Sequence, residues 1–258
     1  MPEATGRQSI FITGAASGMG RETARLFKQQ GWFIGAFDLN QAGLEALQAE
    51  LGADNCLIGQ LDVSDKIAYE QAINSFDAAT GGRMDILFNN AGIAMRGFFD
   101  EIPFEEQMRL VQVNFVGVLN GIHTALPLLK ATPNALCFTT SSSSATMGMP
   151  LIAVYSATKH AVKGLTEALS NEFRRHDIRV ADVLPGLIRT GMPDDAMLAA
   201  ASDTGAFRVI EAIEVAKVVW EAYQSDTLHW YVPEELAELD KAAGNNPERL
   251  RDKLARQL

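Results

Sequence analysis

The sequence predicts an α/β fold: one doubly wound domain on a seven-stranded parallel sheet with helices on both faces. Three observations predict it. Short β-rich runs alternate with helical patterns, a glycine-rich turn joins the first run to the first helix, and 258 residues with 47% hydrophobic content can bury one large core.

The β-rich runs fall at residues 9–13, 32–37, 56–61, 84–89, 135–140, 178–184 and, more weakly, 228–232. Between them, helical patterns cover 20–30, 41–50, 65–79, 104–129, 154–176 and 211–224. Residues 193–208, rich in Ala, Met and Asp and without a clear period, read as a loop or short helices inserted over a substrate site. From Pro233 charge alternates with leucine, and a break at Gly244, Asn245, Asn246 and Pro247 divides the tail, residues 233–258, into two short surface helices. No repeat, low-complexity tract or linker appears, so a single domain is expected over residues 1–258.

Composition narrows the function. Lys and Arg total 22 against 32 acidic residues, a net charge of −10, which argues against a nucleic-acid partner or an anionic membrane. Cys56 and Cys137 lie in apolar runs with no disulfide or metal-ligand pattern, as expected of a protein of the reducing cytoplasm. The N-terminus lacks the basic and apolar regions of a signal peptide, and no run approaches the roughly 20 apolar residues of a membrane span. His123, His160, His176 and His229 have neither metal spacing nor a nucleophile partner, so no metal is expected.

The glycine-rich turn Thr-Gly-Ala-Ala-Ser-Gly-Met-Gly, residues 13–20, follows an apolar strand and opens a helix. In that context Gly14, Gly18 and Gly20, with Ser17 and Met19 between them, let backbone approach a pyrophosphate at the helix N-terminus, the Rossmann arrangement. A glycine motif alone is weak evidence. Asp38 adds to it, because it ends the second strand where a carboxylate can accept hydrogen bonds from an adenosine ribose and repel a 2′-phosphate. Asp38 could instead cap the helix that starts at Gln41. No Arg or Lys stands at Leu39, Asn40 or Ser17 to receive a phosphate, so NAD is favoured over NADP.

Tyr155 and Lys159 are one helical turn apart. A phenol has a reference pKa of about 10 and exchanges protons near neutrality only if its anion is stabilised, which a lysine at i+4 can do. A lone Tyr-x-x-x-Lys arises often by chance, and its weight here comes from the glycine turn and from the serine run 141–144 upstream.

Together these residues make the chain resemble the short-chain dehydrogenase/reductase family over about residues 9–192. The resemblance also includes Asp62-Val63, Asn89-Asn90-Ala91-Gly92, Asn114, Ser142 and the run from Pro185 to Thr190. It implies a homo-oligomeric NAD-dependent alcohol dehydrogenase or carbonyl reductase. In it Asp62 and Val63 meet the adenine, Asn90, Ala91 and Gly92 line a ribose, and Ile188 and Thr190 contact the carboxamide. The implied catalytic group is Tyr155 as acid and base, Lys159 on the ribose, Ser142 on the substrate oxygen and Asn114 on a relay water. Asn114 could otherwise be an ordinary buried amide, and the serine run a polar loop.

Ile93, Met95, Met147, Met149, Leu151, Met192, Met197 and Phe207 are the expected substrate pocket, an apolar lining suited to a hydrophobic alcohol or ketone, although part of this stripe could be core. Arg96 and Arg189 could meet a carboxylate. Two other readings stay open: an NADPH-dependent 3-oxoacyl-carrier-protein reductase, against which Asp38 argues, and an NAD(H)-binding module without turnover. The resemblance implies a homodimer or homotetramer through helices 104–129 and 154–176, although the charged tail departs from the glycine-rich end of many members.

Overall fold

The computed structural model describes residues 6–193, 198–199 and 201–256. β1 (Ser9–Thr13) is buried along its whole length, and its alternating side chains feed two separate cores, Ile10 and Ile12 on one face and Phe11 on the other. β2 (Phe33–Asp38), β3 (Cys56–Gln60), β4 (Ile86–Asn89), β5 (Leu136–Thr140) and β6 (Arg179–Pro185) extend the sheet. β7 (Leu187–Arg189) and β8 (Val209–Glu211) lie outside it, and β9 (His229–Val232) closes its far edge. The order β3-β2-β1-β4-β5-β6-β9 is parallel throughout, with Ile12 opposite Ala36 on one side and Phe88 on the other. Strand order reverses between β1 and β4, and such a reversal opens a crevice at the strands' carboxyl ends.

α1 (Gly18–Gln29), α2 (Gln41–Leu51) and α7 (Ala212–Tyr223) cover the Ile10 face. α3 (Lys66–Thr80), α5 (Gly117–Ala131) and α6 (Ala153–Glu172) cover the Phe11 face. α1 is helical because Gly20, Thr23, Ala24 and Phe27 recur at the spacing of one buried stripe. Trp32 lies edge-on to Phe27, Trp220 and Tyr223 at centroid distances of 5.0, 6.0 and 4.8 Å, joining α1 to α7. The cap of α2 is Asn40, which accepts from Gly43 N, and not Asp38.

The expected single helix over 104–129 is divided. α4 (Phe104–Val111) passes into a π-helical turn at Gln112–Val116 before α5 begins, and Asn114 in that turn is fully buried. The widened turn lets the Asn114 amide meet the backbone of Ile93, with Oδ1 accepting from Ile93 N and Nδ2 donating to Ile93 O, both at 2.9 Å. The parallel pair β7–β8 was not expected, since three-residue strands are too short to show a period of two. The tail forms the two expected helices, α8 (Leu236–Asn245) and α9 (Pro247–Ala255); Asn246 caps the second by accepting from Arg249 N. No described helix is long and apolar enough to cross a membrane.

Trp32→Ala should lower unfolding stability by about 3–5 kcal/mol, because the cavity would open where two helices and the sheet meet. A urea titration checks this, and a loss under about 1 kcal/mol would mean that α1 and α7 are joined by other contacts.

Candidate active site

A cavity of about 1040 Å³ lies in the crevice between β1 and β4. One wall is the turn between β1 and α1. A Cβ added at Gly14, where φ is +67°, would sit 3.0 Å from Ala91 Cα, and one at Gly20 would sit 2.3 Å from Gly14 O. Only glycine lets this turn fold back so closely on itself and on the end of β4. The first-turn N–H groups of α1 have no partner within the helix, and no acidic side chain sits among them to repel an anion. This cradle fits the phosphates of a dinucleotide.

At one end of the cavity Asp38 accepts from Ala16 N at 3.0 Å through Oδ2 and from Asn40 N at 2.9 Å through Oδ1. Its carboxylate is thereby held at the floor, beside Leu39, Asp62 and Val63. Asp62 is itself oriented by accepting from Ser64 N and Ser64 Oγ.

Beyond the other end, the ends of β5 and α6 bring the polar groups together. Lys159 is buried, and its Nζ donates to Thr140 O at 2.8 Å and lies 5.7 Å from the centroid of the half-buried Tyr155 ring. Ser142 Oγ accepts from Ser144 N at 3.1 Å, which fixes its rotamer. A Cβ at Gly92 would come within 3.3 Å of Asn114 Oδ1 and 3.6 Å of Lys159 Nζ, so both groups lie close to the Gly92 backbone. Proton transfer therefore has a phenol, a hydroxyl and an amine within one small volume.

Residues 8–199 match the sequence profile of the short chain dehydrogenases. The chain belongs to that family. It is 34% identical over 189 residues to the 3-ketodihydrosphingosine reductase of Bacteroides thetaiotaomicron, a match that spans 73% of this chain and 66% of that protein. Among solved structures, levodione reductase superposes with a TM-score of 0.79 at 28% identity, covering 87% of this chain and 95% of that one. The 3-ketoacyl-(acyl-carrier-protein) reductase of Brucella melitensis, complexed with NADH, gives 0.78 at 26%, covering 87% and 96%.

In this short-chain dehydrogenase the expected cofactor residues Gly14, Ser17, Gly18, Met19, Asp38 and Asp62 line the large cavity. So do Val63, Asn90, Ala91, Gly92 and Thr190, whereas Gly20 and Ile188 are packed behind it. The expected substrate residues separate. Ile93 and Met192 line the large cavity and Met147 and Met149 a second one, while Met95, Leu151 and Phe207 line neither. Met197 lies outside the described residues. The charge of Arg189 is answered by Glu211 across β7–β8 at 2.7 Å. The sequence reading missed one wall, where Glu105, Met108, Arg109 and Gln112 face the cavity from α4 and the turn after it. Their helical spacing was the available signal.

The expected lowering of Tyr155 by Lys159 does not appear in this conformation. Burial pushes the phenol above its usual range, and the Ser142 hydroxyl works against that shift. Burial also lowers the Lys159 ammonium to about 8. The lysine is thus a desolvated ammonium held on a carbonyl, and the phenol is protonated at neutral pH.

Lys159→Met should consequently stabilise the fold, by up to about 3 kcal/mol less the lost hydrogen bond to Thr140 O. With the folded pKa near 8 and the ordinary lysine value at 10.5, the cost of burying the charge is complete below pH 8 and fades as pH rises toward 10.5. The gain over wild type should shrink as pH rises through that window in urea titrations. A pH-independent gain would assign it to packing.

Proposed function

We propose that the chain is an NAD(H)-dependent oxidoreductase that interconverts a secondary alcohol and a ketone on a hydrophobic small molecule. The convergence of Tyr155, Ser142 and Lys159 at the end of a glycine-walled dinucleotide cleft carries this reading. The names of the three similar proteins, all reductases of keto compounds, agree with it.

Gly14, Gly18, Met19 and Gly20 would hold the pyrophosphate, Asp38 the adenosine ribose, and Asn90, Ala91 and Gly92 the nicotinamide ribose. When bound, the nicotinamide supplies or accepts the hydride. Tyr155 Oη gives its proton to the ketone oxygen in reduction and takes it back in oxidation. Ser142 Oγ, oriented by Ser144 N, donates to the same oxygen. Lys159 is the only cation in this buried group, and its Nζ, 5.7 Å from the Tyr155 ring centroid, supplies the charge that the phenolate needs. Asn114 holds the Ile93 backbone and the α6 residue Thr158 in place around them.

The second reading, an NADPH-dependent 3-oxoacyl-carrier-protein reductase, is supported by likeness to the Brucella enzyme and requires that Asp38 have no role at the ribose. Homo-oligomerisation is part of the proposal, supported by the exposed Leu119 on α5.

The test is a panel of alcohols and ketones with NAD(H) and NADP(H) in both directions, followed by nicotinamide absorbance. Tyr155→Phe should abolish turnover while leaving NADH affinity within about tenfold, since the ring keeps its shape and loses only the proton. Retained activity would refute the assigned role. Wild type should prefer NAD(H) by at least about a hundredfold in kcat/KM, because a 2′-phosphate about 4 Å from the Asp38 carboxylate costs roughly 4 kcal/mol at an effective dielectric near 20 before relaxation. Asp38→Ala with Leu39→Arg should erase or reverse that preference. Equal efficiency with NADPH in the unmutated protein would remove Asp38 from the ribose and favour the carrier-protein reading.

A further inference from the structure

A second cavity, of about 590 Å³, opens between two parts of the chain that are distant in sequence. One wall includes Met147, Met149, Pro150 and Ala153, from the segment that joins Ser142 to Tyr155. The opposite wall is Ala243 of α8 with Leu250, Arg251 and Leu254 of α9. None of these residues lines the large cleft, so the two spaces have separate walls.

The lining chemistry is nearly all apolar. Within α9 only Leu250 and Leu254 are not fully exposed, and their spacing puts both on the face that meets the cavity. The helix therefore holds its two leucines over a pair of methionines and leaves a space between them. Arg251 is the one charged lining residue, and its Nη2 is 2.8 Å from Asp252, so no free charge calls for an ionic ligand. The volume falls in the range of small-molecule pockets, and methionines adapt to flexible chains. The α8–α9 wall also lies outside residues 8–199, the part shared with the family.

We propose that this cavity holds an aliphatic arm of the substrate, making α9 the element that selects ketones or alcohols bearing an extended hydrocarbon chain. The proposal rests on the alcohol–ketone reading above. With the substrate oxygen on Ser142 and Tyr155, the arm follows the segment that connects those two residues and ends against Leu250 and Leu254.

The test uses straight-chain methyl ketones from acetone to methyl decyl ketone with NADH. KM should fall about fourfold per added methylene until the cavity is filled, with kcat nearly constant. Leu250→Trp should flatten that series at a shorter chain, and Met147→Ala should extend it to a longer one. Independently of turnover, decanol should raise the Tm of wild type and not of Leu250→Trp. Normal turnover with a KM that ignores chain length overturns the arm site and leaves the reaction intact. Absence of turnover with any ketone, alongside a decanol shift that Leu250→Trp abolishes, retains the site and overturns the reaction. A change of solution mass in Leu250→Trp with an unaltered KM series would mean that a second copy of the chain occupies the cavity, against the proposal.

Discussion

The carboxyl ends of β1, β4 and β5 are tied together by side chains, and the arrangement of the site depends on that tie. Thr13 Oγ1 accepts from both Asn90 N and Ala91 N at 3.0 Å, so the end of β1 fixes the backbone that leaves β4. The Asn90 amide then works in both directions, donating to Thr13 O at 3.0 Å and accepting from Thr140 Oγ1 at 3.1 Å. Thr140 O in turn receives Lys159 Nζ, and Ser141 Oγ donates to Lys159 O at 3.1 Å. Each group is an inexpensive partner for the next because the strands already end side by side. Without them, parallel strands would expose unpaired polar groups at the crevice.

This network explains why the reactive residues are so confined. Lys159 cannot be both buried and hydrated, and a main-chain carbonyl is the partner that the end of β5 offers. Burial lowers the pKa of the amine and raises that of the neighbouring phenol, so the charged form of each is disfavoured beside the end of β5. The π turn follows the same logic: regular helix geometry gives way at Gln112–Val116, and Asn114 braces the loop through Ile93 with two hydrogen bonds. Local helical regularity is lost where the site needs a polar group inside.

The sequence made much of this legible. The apolar run of β1 and the 20, 23, 24, 27 stripe of α1 report burial directly, since composition and face are local properties. The glycines at 14 and 20 were readable because close backbone approach admits no side chain. Other features left no local trace. The β7–β8 pair is three residues long on each side, and its partners are brought together by the chain that loops between them. The wall from α4 was present as a helical spacing, but the same spacing describes any solvated helix face until the fold turns it toward a cleft.

By itself, then, the sequence determined the layer architecture, the order of its elements, the family and the residues that build the cleft, because hydrophobic period, turn chemistry and motif spacing are written along the chain. Tertiary structure decided the rest. It placed Asn40, not Asp38, at the helix cap, directed Lys159 to Thr140 O, interrupted helix 104–129 with a π turn at Asn114, and set Met147 and Met149 against α9 in a cavity of their own. These outcomes depend on which polar groups lose water together and which surfaces meet across the fold, and such long-range partners are chosen only once the strands have ended beside one another.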